Sequence, residues 1–218
     1  TFTANNIASF TSGTYSFAGM GAAVNVGNII VASGVTVNFV SIGSTFGTGG
    51  LVRTIDVGAG GLFDFNAQAI SVAGGTGFIK NGTGVFATGG GTYTGGFVIN
   101  AGTVIARGTT GFGSGGANFL TLNGGTLAAN GNRAFANTRF PGGITIGGDI
   151  QLGEIPANVA LASNIANLQF DNNVSLGAST RTITLGNAGT NTFTGIISNT
   201  SGGLTIAANA NGTTGSVI

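Results

Sequence analysis

Between Phe78 and Ala106, short apolar runs alternate with glycine-bearing turns. Val85, Phe97, Ile99 and Val104 anchor the runs, and Gly82, Gly84, Gly89 to Gly91, Gly95, Gly96 and Gly102 separate them. Glycine takes positive-φ corners that other residues avoid, so each group of glycines reads as a sharp change of direction. Strands this short bury no face of their own; each must stack on a similar neighbour. That requirement constrains the chain more than any other feature.

The neighbours are present. Comparable units begin at Ile29, Ile55, Ile70, Phe97, Leu120, Ile144, Leu168, Ile183 and Leu204, with a mean spacing of about 22 residues. In Leu120–Leu127 the two leucines before Asn123-Gly124 point one way and Thr121 the other, because side chains alternate along a strand. Ile144–Leu152 and Leu168–Leu176 repeat the pattern. The reading is an all-β fold, a parallel β-helix (β-solenoid) of about ten irregular coils, with residues 1–218 forming a single elongated domain. Antiparallel hairpins are the alternative, since Asn-Gly turns at Asn81, Asn123, Asn130 and Asn211 favour them. Recurrence of one unit at solenoid spacing weighs against hairpins.

The stretch from Phe78 to Ala106 also resembles the autotransporter-associated β-strand repeat. Gly82, Gly84, Tyr93, Gly95, Gly96, Ile99, Gly102 and Val104 fill that pattern, with Val85 and Phe86 where the family usually has leucines. Weaker copies are Asn191–Ile197, with Phe193 for the tyrosine, and Thr14–Gly19. The strong match covers about an eighth of the chain. The resemblance implies a right-handed parallel β-helix displayed outside a bacterial cell, with an outer-membrane barrel as a further part of the parent protein. It implies no reaction.

Composition narrows the function. Glycine is 44 of 218 residues but proline only 2, which excludes collagen. With 42% apolar residues a core is available, so the chain is not a flexible linker. Charged residues are 5% and the net charge is +1, so repulsion does little to keep copies apart. The six cations are scattered rather than clustered, which argues against nucleic acid. No apolar run is long enough to span a membrane. Thr1 opens the chain without a charged-then-apolar leader, so a processed chain or a segment of a longer one is expected.

Chemistry-bearing residues are few. There is no His and no Cys, so neither the usual zinc ligands nor a Ser-His-Asp or Cys-His arrangement is available. Asp56 and Asp64, eight apart, are the one candidate carboxylate pair, read rather as turn-edge or solvated aspartates. Gly111–Gly116 matches G-x-G-x-x-G but precedes a strand instead of following one. Lys80 lacks a phosphate-loop context, and Gly74–Ile79 has Phe78 where a calcium-binding nonapeptide needs Asp. The expectation is no catalytic, metal or cofactor site, and no enzyme.

Phe63, Phe65, Phe86, Phe97, Phe119 and Phe170 are expected inside the coil, and outward Thr and Asn are expected in ladders. Gly153–Asn167 breaks the rhythm and is read as an irregular excursion; Asn130–Gly143 is read as a protruding loop. Neither Thr1–Phe10 nor Gly203–Ile218 carries charge or proline to blunt a strand edge, so stacking on another subunit or on further chain is expected there. The expected role is an extracellular structural rod on the cell surface that assembles with copies of itself, end to end or laterally, into a filament, sheath or surface layer. The alternative is an adhesin passenger that binds glycans or host surfaces.

Overall fold

The computed structural model describes residues 3–4, 8–18, 24–40, 46–47, 51–66, 77–91, 93–108, 110–113, 117–135, 140–157, 159, 166–186, 189–208 and 216–217. These residues form a parallel β-solenoid with no helix among them. Every strand pairing is parallel. A parallel pairing cannot be a hairpin, so the hairpin alternative is excluded among the described residues; Asn211 lies outside them.

The described residues of successive windings cross a first face, turn a glycine corner and cross a second face, and several return along a third side. The first face stacks Ala8–Phe10, Ile29–Val31, Val52–Val57, Gly77–Asn81, Phe97–Ile99, Leu120–Leu122, Ile144–Ile146, Val174–Ser175 and Ile197–Ser198. The second stacks Thr14–Ala18, Thr36–Val40, Leu62–Asp64, Val85–Thr88, Thr103–Ala106, Thr126–Ala129, Ile150–Leu152, Arg181–Leu185 and Leu204–Ala208. The third side carries Thr3–Ala4, Val24–Val26 and Phe46–Gly47 near one end, and Arg133–Phe135, Leu168–Phe170, Thr190–Phe193 and Ser216–Val217 towards the other. Nine strands on each long face replace the ten coils expected, which at a strand spacing of about 4.8 Å makes a stack roughly 40 Å long.

Three units counted as equivalent in the sequence, at Leu168, Ile183 and Leu204, fall on sides other than the first. Leu168–Phe170 lies on the third side and Ile183 and Leu204 on the second face, whereas Leu120 and Ile144 are on the first. The excursion after Leu152 intervenes before the third side is reached, so the apolar rhythm keeps its spacing while the faces change. Ile70 lies outside the described residues. The supposed loop at Asn130–Gly143 also proves partly structural. Arg133–Phe135 pairs with Leu168–Phe170, and Phe135 and Phe140 are fully buried.

Inside, identical parity builds continuous files. On the second face Tyr15, Val37, Phe63, Phe86, Val104, Leu127, Leu152 and Leu185 follow one another in register. Aromatic rings make a second continuity through the core. Phe17 stacks on Phe39 at 5.0 Å, Phe63 on Phe86 at 5.6 Å, and Phe86 on Phe97 at 6.1 Å. The chain of rings continues edge-on through Phe112 at 5.1 Å to Phe135 at 5.4 Å, and then to Phe170 and Phe193. Such pairs add about 0.5–1.5 kcal/mol each beyond area burial. Of the six phenylalanines expected inside, Phe119 is the exception: it is half-buried and its ring covers Gly96. Leu120 and Leu122 hold the inward parity, which turns Phe119 outward.

Candidate functional surface

The repeat-motif residues take structural places. Gly82 (φ 69°) and Gly102 (φ 71°) turn the first corner in consecutive windings. A Cβ on Gly82 would collide with the Val57 carbonyl, and one on Gly102 with the Gly84 carbonyl, so backbones meet directly at this corner. Gly84 is buried against Gly58 in the same way. Ile99 and Val104 are core residues with no exposure. Tyr93, also fully buried, donates its hydroxyl to the Gly111 carbonyl at 2.5 Å and meets Phe78 edge-on at 4.9 Å. Gly95 passes close to Gly77, and Gly96 lies under Phe119. The weaker copy's Phe193 also sits on the third side, whereas Thr14–Ala18 is a second-face strand and occupies a different place from Tyr93.

Beside this corner runs a ladder of amides. Asn123 Nδ2 donates to Asn100 Oδ1 and Asn100 Nδ2 to Asn81 Oδ1, each at 2.9 Å. Other asparagines bracket successive windings through the backbone: Asn28 Oδ1 accepts from Thr54 N, Asn167 Oδ1 from Thr190 N, and Asn173 Oδ1 from Ile196 N. The expected ladder therefore bonds along the rod.

Charge is turned inward. Lys80 holds an inward place in a file of Ala8, Ile29, Ile55, Ile99, Leu122 and Ile146, with no exposure. Its ammonium donates to the carbonyls of Asn81 (2.6 Å), Gly82 (2.8 Å) and Ala101 (3.3 Å) at the corner. Burial lowers its pKa to about 8, with Asp56 of the preceding winding pulling the other way. Sequence reading missed this residue, although Phe78 and Lys80 share a parity that predicts a common inward direction. Arg133 caps another corner through the carbonyls of Arg107, Asn130 and Asn132, and burial lowers its pKa. Arg181 Nε donates to Leu176 O at 3.3 Å.

Asp56 and Asp64 do not form a facing pair. Asp56 is exposed on the first face, while Asp64 is buried on the second and ion-paired to Arg107 at 2.5 Å. Asp64 keeps the turn-edge place expected, accepting from Asn66 N at 2.7 Å, but is buried rather than solvated, and joins Arg107 across the small Ala87 of the winding between them. Among the described residues no group of three or more His, Cys, Asp or Glu comes together, and no helix is long and apolar enough to cross a membrane.

The excursion supplies a second small core. Ile155 and Val159 pack over the outward side chains Leu62, Val85, Ala87, Ile105 and Ala128 of the second face. Residues 153–157 and 159 form a strap rather than a strand or helix, with one turn bond from Val159 N to Pro156 O at 3.0 Å. No family model matches the chain, and no curated protein or solved structure matches it.

Proposed function

We propose that this protein is an extracellular structural rod whose copies pack into a filament, sheath or surface layer. The observation that carries the reading is the placement of charge. Arg139 lies outside the described residues; of the other charged side chains only Asp56 and Asp149 are exposed. The cations are largely engaged with the molecule's own carbonyls or with Asp64. What faces solvent is chiefly Thr, Ser, Asn and Gly, a surface with almost no long-range repulsion between copies. The resemblance of residues 78–106 to the autotransporter-associated repeat supports a location at a bacterial surface. Electron microscopy and sedimentation of the intact native protein test the reading. Ordered fibres or sheets that persist at high salt are expected, because no ion pairs drive the contact. A stable monomer at every concentration overturns it.

A second reading, a glycan-binding adhesin passenger, draws on the amide ladder and on the solvent-facing hydroxyls of Thr145, Ser175 and Ser198. A glycan array with no hits, together with unchanged cell adhesion when the protein is deleted, removes it.

A further inference from the structure

The first face carries an outward file that no strap among the described residues seals. Thr54, Ile79, Val98, Thr121, Thr145, Ser175 and Ser198 follow one another in register over seven windings. None is charged, five of the seven are β-branched, and Thr145, Ser175 and Ser198 stand open to solvent. On the second face the corresponding aliphatic outward residues are buried under Ile155 and Val159. Among the described residues the chain thus covers one apolar outer surface and leaves the other, of mixed methyl and hydroxyl character, uncovered.

We propose that this first-face file is the surface through which two copies of the chain pack face to face. The inference rests on the structural-rod reading. A file of β-branched side chains repeating at the strand spacing is complementary to a second copy of itself, in the way stacked sheets interdigitate. The bordering file runs Ile30, Asp56, Asn81, so Asp56 is the single charge beside the surface in these two files. In a two-fold pair with antiparallel rods, the two Asp56 carboxylates lie in opposite halves of the contact and do not meet. A stack of about 40 Å, over strands that are mostly three residues and so about 11 Å long, gives a footprint of roughly 440 Å² per copy. The total of about 900 Å² is below that of stable specific interfaces, so the pair is weak and forms reversibly with concentration. A second copy suits this surface better than a charged partner, because the file offers nothing for one to pair with.

The test is sedimentation velocity from about 1 to 100 µM on the wild type, Thr121→Lys, Thr145→Lys and the second-face control Thr184→Lys. Circular dichroism confirms the fold of each. Wild type and the control are expected to associate alike, whereas the two first-face variants shift the midpoint upward at least about tenfold by placing unpaired charge in the contact. Should either first-face variant fail to fold, dye self-quenching between copies labelled at Ser175→Cys, compared with Thr184→Cys, reads the same contact; the chain has no other cysteine. Quenching at both positions alike, or assembly untouched by the first-face lysines, overturns the face assignment alone. A wild type that stays monomeric throughout overturns the structural-rod reading with it.

Discussion

Val98 and Ile105 stand in one winding, each pointing outward from a short strand, yet they meet different fates. Ile105 is completely buried beneath the strap, whereas Val98 remains half-buried on an uncovered face. Strand chemistry is the same in both. What separates them is a tertiary event, the return of Ile155 and Val159 across windings that precede them in the chain. The outer surface of a solenoid is therefore no fixed category, because irregular chain converts part of it into core.

The contrast is sharpest under a charge. Ile105→Asp is expected to cost more than about 4 kcal/mol, since it buries an unpaired carboxylate, while Val98→Asp costs about 1 kcal/mol at concentrations where the protein is monomeric. Urea melts of the two variants check this, and equal losses would mean that the strap does not seal the second face. Next in size is Asp64→Asn, expected to cost about 3 kcal/mol by leaving the Arg107 guanidinium without its carboxylate in a poorly hydrated place. The double variant with Arg107→Met should recover much of that loss, and a failure to recover would show that the pair is not energetically coupled.

Lys80 extends the comparison to pH. Its pKa is about 8 in the folded protein and 10.5 as an ordinary lysine, so between those values the unfolded chain holds more protons than the folded one. Stability is then expected to be flat below pH 8 and to rise from pH 8 to 10.5, by between about 1 and 3 kcal/mol. Lys80→Met should abolish the rise in a series of melts, and a rise that survives in that variant assigns it elsewhere. The smallest effect belongs to the exposed amide ladder. Asn100→Ala, which breaks both of its rungs, is expected to cost about 1 kcal/mol, read by thermal melting against the wild type.

Legibility varied with the range of the interaction. Alternation at Leu120-Thr121-Leu122 and at Ile144-Thr145-Ile146 gave the inward files directly, because parity is a local property of a strand. The same rule, applied to Phe78 and Lys80, would have placed the lysine inside; charge drew attention away from register. At Phe119 the reverse holds: hydrophobicity points inward, but the parity of its leucine neighbours turns it outward.

The amino-acid sequence by itself determined that the chain winds. Glycine corners, short alternating runs and a recurrence near 22 residues leave few ways to satisfy backbone hydrogen bonds other than parallel stacking. It also determined how little charge the surface would carry. Only the tertiary structure decided which outward files are sealed, that Asp64 reaches Arg107 across an intervening winding, and that three corner carbonyls converge on Lys80. Asp64 and Arg107 lie 43 residues apart and Lys80 and Ala101 lie 21 apart, so the repeat brings them to nearby windings, but which side chains then meet is selected by how the windings stack.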